Sequence, residues 1–544
     1  MPPTHEVFNQ PTPLEDHDVA AEPALTEGLE REGGGWAGEE LHELGRLAGG
    51  APARGWGEQA NANEPVLRTH DRYGHRVDEV DFHPAWHVLT DTAVSHGLHA
   101  APWADERAGA HVARAAKFYV WSQVEAGHGC PMSMTYAVVP ALRHSPELAA
   151  RYEPLLTSRT YDFGLRPPLA KRGLLAGMSM TEKQGGSDVR ANTTRAVPGG
   201  PDGAHRLTGH KWFTSAPMGD LFLTLAQAPE GLSCFLVPRV LEDGTRNALS
   251  IQRLKDKLGN RSNASAELEY DGALAWPVGE PGRGVRTIIE MVNGTRLDCV
   301  IGSAAGMRAG LVQAVHHASL RQAFGGALID APLMRNVLAD LALESEAATA
   351  LMLRLAGAAD RAVRGDESEA AFRRLAVAAG KYWVTKRQPA HAAEALECLG
   401  GNGYVEESGM PRLFRESPLN SIWEGSGNVA ALDVLRAMAK EPVCVEALFA
   451  ELALSQGADH RLDAAVKRLH TELGDLDAAE YRARSVVELM ALCLQASLLV
   501  RHAPAAVADA FTASRLGGEG GRAFGTLPRG VDTEAVLDRC RPRT

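Results

Sequence analysis

The stretch MSMTEKQGGSD, residues 178–188, marks the point at which the character of the sequence changes. Helical patterns precede it. The runs that follow are short and carry β-branched, aromatic or alternating residues, as in DLFLTLAQA (220–228), LSCFLVPRV (232–240) and AELEYDG (266–272). Turns containing Gly, Pro, Asn and Asp separate these runs, as expected between strands. We therefore predict a small β domain over residues 176–281.

The part of the chain before this β domain has two different patterns. Residues 1–60 are polar and rich in Gly and Pro, with few and unevenly spaced apolar positions. This pattern favours an extended arm containing short helices. The segment HVARAAKFYVWSQVEAG, residues 111–127, is helical in character, and it predicts an N-terminal helical domain over residues 61–175.

The helical period returns after the β domain. Residues 333–364 form a long apolar-striped pattern, and helices of that length usually pack as a bundle, here over residues 282–440. Pro442 then interrupts the chain, and residues 441–544 predict an additional helical domain. The fold class expected from this order is an α+β protein of several domains.

The composition limits the classes of function. Hydrophobic residues make up 45% and charged residues 23% of the 544 residues, both ordinary for a soluble globular protein. The net charge of −12 gives no global attraction to nucleic acid or to an anionic membrane. We find no secretory signal and no apolar run long enough to span a bilayer.

The seven cysteines are scattered along the chain and never form C-x-x-C. This arrangement favours reduced thiols in a cytoplasmic protein over a zinc cluster. The pair His391 and Glu394, three residues apart, could ligate a metal but lacks an evident third ligand, so no metal site is predicted.

The paired glycines of TEKQGGSD give this segment a candidate binding role. Gly185 and Gly186, followed by Ser187 and Asp188, offer exposed backbone N–H groups and a hydroxyl. Such a turn suits a phosphate or a flat polar ring. A simple glycine-containing hairpin explains the same residues equally well.

The segment GHKWFTS, residues 209–215, follows about thirty residues after the start of MSMTEKQGGSD. Side chains alternate along a strand, so Trp212 and Thr214 are predicted to lie on the same face. An aromatic wall beside a hydroxyl suits a flavin ring. The alternative is a core tryptophan and a surface threonine.

Three further motifs lie in the last helical regions. In RQAFGGAL, residues 321–328, Arg321 is either a phosphate ligand or a solvated side chain. The glycines of CLGGNGYVEESGMPRLFRES, residues 398–417, either approach a ligand closely or cap a helix. In SIWEGSGN, residues 421–428, Glu424 is a candidate base or a helix-entry residue.

Together these motifs resemble the acyl-CoA dehydrogenase flavoproteins, which carry TE-x-x-x-GSD-like, W-x-T, R-x-x-FG, GG-x-GY and Y-E-G-T segments in this order. The matching segments here are TEKQGGSD, WFT, RQAFG, GGNGY and WEGS, within residues 84–440. REGGGW near the start, FHPAWH at residues 82–87 and the extra C-terminal block resemble the alkylation-response branch of the same family.

The resemblance implies a fold and a cofactor. The expected architecture is an N-terminal helical domain, a middle β-barrel or sandwich, a helical bundle and the additional C-terminal helical domain. The family binds FAD without a Rossmann fold, and this sequence has no GxGxxG motif after a strand. FAD bridges subunits in the family, so a homotetramer is implied.

The resemblance also assigns residues to the cofactor. Thr181 is expected at the flavin pyrimidine edge, Ser187 at the pyrophosphate and Thr214 near flavin N5. Arg321 and the turn Gly401–Gly403 are expected at the FAD of a neighbouring subunit. The full set of implied FAD-binding residues is Met180, Thr181, Gly186, Ser187, Trp212, Phe213, Thr214, Arg321, Phe324, Gly401, Gly403, Trp423, Ser426 and Asn428.

Glu424 matches the family's Y-E-G-T glutamate. The resemblance implies that this carboxylate removes the acyl α-proton while hydride leaves the β-carbon for flavin N5. Two departures concern the surroundings of the flavin. Trp423 replaces the usual tyrosine, and Trp212 follows Lys211 directly, where the usual pattern has one residue between them.

Two functions are therefore compared. The first is an FAD enzyme of the alkylation-damage response that oxidises an acyl-CoA or a small substrate resembling an alkylating agent. The second is a flavoprotein with little or no turnover that binds double-stranded DNA and protects or regulates it. Residues 441–544 carry twelve Lys and Arg against fifteen Asp and Glu, which does not favour phosphate binding. Local basic residues are the candidate DNA contacts: Arg436, Lys440, Arg461, Lys467, Arg468 and Arg515.

Overall fold

The computed structural model describes residues 4–475 and 477–543. Its α-helices are α1 (Pro23–Arg31), α2 (Gly38–Gly49), α3 (Ala51–Ala62), α4 (Pro84–Ser95), α5 (Ala110–Ser122), α6 (Gly129–Leu142), α7 (Pro146–Leu156), α8 (Gly284–Leu320), α9 (Pro332–Val363), α10 (Glu367–Glu397), α11 (Met410–Glu416), α12 (Gly427–Lys440), α13 (Val443–Ala453), α14 (His460–Gly474), α15 (Ala479–His502), α16 (Ala505–Phe511) and α17 (Thr533–Cys540). Its strands are β1 (Val66–His70), β2 (Arg76–Asp81), β3 (Ala176–Ser179), β4 (Arg195–Pro198), β5 (His205–Ser215), β6 (Leu221–Ala228), β7 (Gly231–Pro238), β8 (Leu249–Leu254), β9 (Ser265–Val278), β10 (Gln322–Ala323) and β11 (Gly326–Ala327).

The chain folds as two compact units, each assembled from separate segments. The first, here called the helical unit, comprises Met1–Ala51, His111–Val124 and Cys299–Thr544. The second, here called the barrel unit, comprises Pro52–Ala110 and Glu125–Asp298.

The barrel unit is built around a seven-stranded sheet. Its strands run in the order β3-β6-β4-β5-β9-β7, β8 pairs with β9, and the pairing of β6 with β7 closes the ring. The pairs β3–β6 and β4–β6 are parallel and the others are antiparallel. Inward-facing apolar side chains fill the interior, among them Leu207, Phe222, Phe235, Leu249 and Tyr270. Strand propensity and alternation thus give the β domain expected from the short runs after residue 178.

The helical unit contains the long helices predicted from the apolar stripes. Helix α9 buries a nearly continuous stretch between Leu338 and Asp360, because several helices cover it. Helix α10 packs against α9, α12, α13 and α15. Ala, Leu and Gly positions dominate these contacts and allow close helix approach, as in other bundles.

The predicted N-terminal arm is extended only at its start. No helix or strand is formed between residues 4 and 22, but residues 23–62 form α1, α2 and α3. Leu25, Leu41 and Leu44 are fully buried. The sequence analysis underestimated this region because its few leucines are spaced at helical intervals among many Gly and polar residues.

Helix α15 corrects the prediction that no segment is long enough to cross a bilayer. By length and composition it qualifies, with a mean hydropathy of 1.6 over its best 18-residue window. Within the chain, 78% of that window is buried. Its apolar side chains pack in the core of the helical unit.

Candidate functional site

The TEKQGGSD segment forms a loop that folds over Thr181 in the barrel unit. The backbone N–H of Trp212 donates to the backbone carbonyl of Thr181 at 2.7 Å. A Cβ at Gly186 would lie 2.4 Å from the Thr181 hydroxyl oxygen, so only glycine permits this approach. Gly186 and Ser187 are exposed and Met180 is half-buried. The loop therefore presents backbone and hydroxyl groups at the place where the sequence predicted a polar ligand.

A buried ion pair supports this loop from inside the barrel. Lys211 Nζ lies 2.9 Å from the Glu182 carboxylate and donates to the Leu225 carbonyl at 2.8 Å. The same carboxylate accepts the Thr193 N–H at 2.6 Å and the Thr194 N–H at 3.1 Å. Both charged side chains are fully buried. Their bonds join the loop to the strands behind it.

The pKa values of this pair reflect burial and mutual attraction. Burial lowers the pKa of Lys211 to about 8, against the opposing charge of Glu182. Burial alone would raise the pKa of Glu182, but the charge of Lys211 and the hydrogen bonds of Thr193 and Thr194 outweigh it and lower the pKa to about 2. Glu182 is thus a structural anion near neutral pH.

The prediction that Trp212 and Thr214 share one face of the strand is wrong. The pairing of β5 with β9 places Lys211 opposite Leu268 and Thr214 opposite Ala266, so two residues of β5 face one residue of β9. This β-bulge puts Thr214 on the buried face, the same face as Lys211. The Thr214 hydroxyl lies 2.5 Å from the Ser179 hydroxyl, in the barrel interior.

After the bulge, Phe213 and Ser215 lie on the face of β5 opposite to Thr214. Phe213 is 49% exposed and pairs with Thr181 through an isolated β-bridge. The family's usual spacing has one residue between the lysine and the tryptophan, and counting from Lys211 places Phe213 at the tryptophan position and Ser215 at the threonine position. Counting from Lys211 could have identified Ser215 as the residue at the threonine position, but the sequence analysis did not select it.

Trp212 packs against a cationic group. The Lys255 ammonium lies 3.3 Å from the centre of the indole ring and 4.6 Å from that of the Phe213 ring. Arg253 and Lys183 lie 5.7 and 5.6 Å from the indole centre. The indole therefore makes cation–π contacts within the barrel unit and supports Phe213 from the side.

In the helical unit, the SIWEGSGN segment is a tight loop before α12. Glu424 is half-buried and has φ +56°, a left-handed conformation that is uncommon for a residue with a side chain. The Trp423 indole N–H donates to Asn420 Oδ1 at 3.0 Å, and the Asn420 amide donates to the Ser303 hydroxyl at 3.1 Å. The loop is thereby tied to α8.

Helix α10 holds the same loop from another direction. Lys381, only 1% exposed, donates from Nζ to the Trp423 carbonyl at 2.9 Å and to the Gly425 carbonyl. These two carbonyls flank Glu424 along the chain. The sequence analysis missed Lys381, since its position in a long helix gave no sign of a contact more than forty residues away.

The start of α12 contains two residues, Ser426 and Asn428, that the resemblance assigned to FAD. Ser426 is the N-cap residue, half-buried, and its side chain makes no capping hydrogen bond. Asn428 is exposed and accepts the Arg484 guanidinium at 2.8 Å. A Cβ at Gly427 would lie 2.5 Å from Lys386 Cε. Burial, and then the charge of Arg484, lowers the pKa of Lys386.

Arg321 and the short hairpin β10–β11 contact the N-terminal segment. The Arg321 guanidinium donates to the Asn9 carbonyl. The Asn9 side chain accepts the Gln322 N–H at 2.7 Å and donates to the Gln322 carbonyl at 2.8 Å. Phe324, at the hairpin tip, is completely exposed with φ +54°. The hairpin is thus fastened to the N-terminal segment at its base, while the Phe324 ring projects from its tip.

The three glycines of GGNGY, residues 400–404, have different structural roles. Gly400 has φ +59° after the end of α10, as in a helix C-cap, and a Cβ at Gly403 would lie 2.1 Å from the Leu396 carbonyl oxygen. Gly401 is exposed, and open space surrounds its position. The Asn402 amide donates to Gln10 at 3.0 Å. Of the predicted pair, Gly401 is therefore the one that is open to a ligand.

The candidate DNA contacts fall into two groups. Arg461 lies 2.7 Å from Asp459 and 2.6 Å from Asp509, and Arg515 lies 2.5 Å from Asp340 and 3.2 Å from Glu344. Carboxylates of the chain itself thus neutralise both guanidinium groups. The other four are exposed. Arg436 and Lys440 lie on α12, and Lys467 and Arg468 lie on α14.

Comparison with known proteins identifies the family. The N-terminal domain of the adaptive response protein AidB matches residues 9–163. The acyl-CoA dehydrogenase middle domain matches residues 177–273, and the C-terminal domain of the same family matches residues 282–439. These matches confirm the predicted fold class.

Individual relatives agree with this assignment. AidB from Escherichia coli K12 is 47% identical over 524 residues, which covers 95% of each chain. The structure of ACDH-11 from Caenorhabditis elegans, in complex with C11-CoA, has a TM-score of 0.85 and 28% identity and covers 99% of this chain and 93% of that one. An acyl-CoA dehydrogenase from Bacillus anthracis, complexed with FAD, shares the fold, with a TM-score of 0.63 and 20% identity over 80% of this chain and 78% of that one.

FAD is the cofactor of this family, and residues of each unit fit it. The barrel unit offers the open backbone and hydroxyl of Gly186 and Ser187 beside the exposed ring of Phe213. The helical unit offers a guanidinium at Arg321 and an open turn at Gly401. Among residues 4–475 and 477–543, no cluster of three or more His, Cys, Asp or Glu could hold a metal ion. The chain belongs to the acyl-CoA dehydrogenase family of FAD proteins, as a member of its AidB branch.

Proposed function

We propose that this protein is an FAD-dependent acyl-CoA dehydrogenase in which Glu424 is the base. The observation that carries the proposal is the fixed loop around Glu424, tied to α8 through Trp423, Asn420 and Ser303. A catalytic base needs a defined position before its substrate arrives, and a left-handed backbone held by its surroundings provides one. The complex of the C. elegans relative with C11-CoA supports an acyl-CoA as substrate.

The reaction follows from the residues present. Glu424 removes a proton from the α-carbon of the acyl chain, and the electron pair of that bond forms the α,β double bond. Bound FAD accepts the hydride that leaves the β-carbon. Glu424 is half-buried in its loop, and general-base catalysis requires its carboxylate to be ionised when the acyl chain binds.

An anaerobic titration tests the proposal. The FAD-loaded protein is mixed with saturated acyl-CoAs of short, medium and long chain while the visible flavin absorbance is recorded. We expect bleaching with at least one chain length, its loss in Glu424→Gln, and its retention in Glu407→Gln, an exposed carboxylate used as the control. Absence of bleaching with every chain length, or equal bleaching in Glu424→Gln, contradicts the proposal.

We also propose that the protein assembles as a homotetramer. The exposed apolar side chains of Phe324 and Tyr404, both in segments that the family places at a neighbouring subunit, support this. Light scattering should give four times the chain mass of 58.1 kDa. Phe324→Ser is expected to shift the mass toward smaller species, whereas a monomeric wild-type protein excludes the assembly.

Binding of double-stranded DNA, as part of an alkylation response, is the second candidate function. The exposed side chains of Arg436, Lys440, Lys467 and Arg468 favour it. Affinity for a duplex should fall as salt rises, because phosphate contacts release counterions. Lys467→Glu with Arg468→Glu should weaken binding to all sequences alike, and Arg206→Glu on the barrel unit serves as the control. A binding constant that does not vary with salt rejects this mode.

A further inference from the structure

The contact between Lys381 and the Glu424 loop joins two features that are each uncommon. Lys381 is almost completely buried, and burial of an ammonium group is unfavourable unless its donors are satisfied. Two of its three donors bond to backbone carbonyls, those of Trp423 and Gly425. Glu424, the residue between these carbonyls, has φ +56°.

These hydrogen bonds hold the backbone before and after Glu424. The Trp423 carbonyl belongs to the peptide group that precedes Glu424, and the Gly425 carbonyl belongs to the peptide group that follows Gly425. With both oxygens directed at one ammonium group, rotation of Glu424 out of the left-handed region would break at least one bond. The contact therefore opposes the relaxation that an L-residue favours.

The rest of the loop is fixed at its two ends. The Trp423 indole is bound through Asn420 to α8, and Gly427 packs closely against Lys386 of α10. Neither contact acts on the backbone of Glu424 itself. Lys381, five residues before Lys386 in α10, bonds to the carbonyls of the residues on either side of Glu424.

We propose that Lys381 is a positioning residue for Glu424, holding the backbone conformation in which the carboxylate is presented to the substrate. The inference rests on the proposed function of Glu424 as the base.

The experiment compares three variants of the FAD-loaded protein. Lys381→Met keeps the length of the side chain and removes its donors and charge, and Lys381→Arg keeps charge and donors. Lys117→Met is the matched control, because Lys117 is another buried lysine of the helical unit and lies 3.1 Å from Glu40. The rate of flavin reduction by acyl-CoA is measured against pH, and a crystal structure of each variant gives the φ angle of Glu424.

In Lys381→Met we expect Glu424 to leave the left-handed region and the reduction rate to fall about tenfold or more. Lys381→Arg should restore part of the rate and return Glu424 toward the left-handed region. Lys117→Met should lower the melting temperature but leave the pH profile and φ unchanged.

Three results would overturn the inference: an unchanged φ at Glu424 in Lys381→Met, an unchanged rate and pH profile in that variant, or equal losses in Lys117→Met. If Lys381→Met does not fold, Lys381→Gln, which removes the charge and shortens the side chain, takes its place and is judged by the same results. If no acyl-CoA reduces the wild-type flavin, the proposed function fails. The φ angle in the variants then still decides whether Lys381 holds the loop.

Discussion

Lys211 in the barrel unit and Lys381 in the helical unit are both buried, but they are used differently. Lys211 bonds to the Glu182 carboxylate and to one carbonyl, and its contacts join a loop to the strands of the barrel. Lys381 bonds to the carbonyls on either side of Glu424. The comparison shows that the role of a buried lysine depends on the groups to which it bonds and not on its burial alone. The first contact stabilises a fold, and the second fixes one conformation of one residue.

The largest effect is expected from breaking the barrel pair. Lys211→Met leaves the Glu182 carboxylate buried without its cation, and such a change typically lowers the free energy of unfolding by about 3–5 kcal/mol. Urea unfolding followed by circular dichroism measures the loss. The double variant Lys211→Met, Glu182→Gln should recover part of it, since no uncompensated charge remains. A loss below about 1 kcal/mol in the single variant contradicts a stabilising role.

Two buried carboxylates of the barrel unit, Glu182 beside Lys211 and Glu125 beside His128, predict a pH dependence of stability. Burial alone would raise the pKa of Glu125, but hydrogen bonds and the charge of His128 lower it to about 2, as for Glu182. Because both folded-state values lie below the ordinary 4.5, their contribution is complete above that pH and is lost as the pH falls toward about 2. The free energy of unfolding should decline over this interval. Glu182→Gln should make the decline shallower, whereas an unchanged slope would refute the assignment.

A smaller effect is expected in the Glu424 loop. Glu424→Gly removes the unfavourable left-handed conformation but adds chain flexibility, so stability should rise by about 0.5–1 kcal/mol. Thermal unfolding measures the change. Ser426→Gly, at a residue with φ −63°, controls for flexibility alone and should give no gain. A destabilised Glu424→Gly protein would mean that the loop does not hold Glu424 against its preference.

The smallest effect is expected at the N-terminal segment. Asn9→Ala removes two hydrogen bonds to Gln322 in an exposed region, worth about 1 kcal/mol. Hydrogen exchange of the Gln322 amide should become faster. Asn9→Asp keeps the acceptor for this amide and should give an intermediate rate. Unchanged exchange in Asn9→Ala would show that the segment does not fasten the hairpin.

The sequence was sufficient for the fold class and for the motifs, because strand alternation and helical stripes are local properties. It was not sufficient for the orientation of Trp212 and Thr214, since a single extra residue in β5 moves Thr214 to the buried face. Arg461 and Arg515 were selected as free cations. The partners of Arg515 are Asp340 and Glu344, which are distant in sequence and meet it only in the folded chain.

The loop around Glu424 shows the same limit. The carboxylate was recognised from its motif, but neither its φ angle nor the contact with Lys381 has a sequence pattern. Both depend on how α10 and the loop pack together. The structure therefore adds to the motif a backbone conformation of Glu424 and the side chains that contact its loop.

The most direct test of the central claim is proton exchange at the substrate. A 3-thia-acyl-CoA, in which sulfur replaces the β-carbon and no hydride can leave, is incubated with the FAD-loaded protein in D2O. If Glu424 is the base, NMR should show deuterium entering the α-position with wild-type protein and with Glu407→Gln, and no entry with Glu424→Gln. Exchange that is absent in the wild type, or undiminished in Glu424→Gln, contradicts the account.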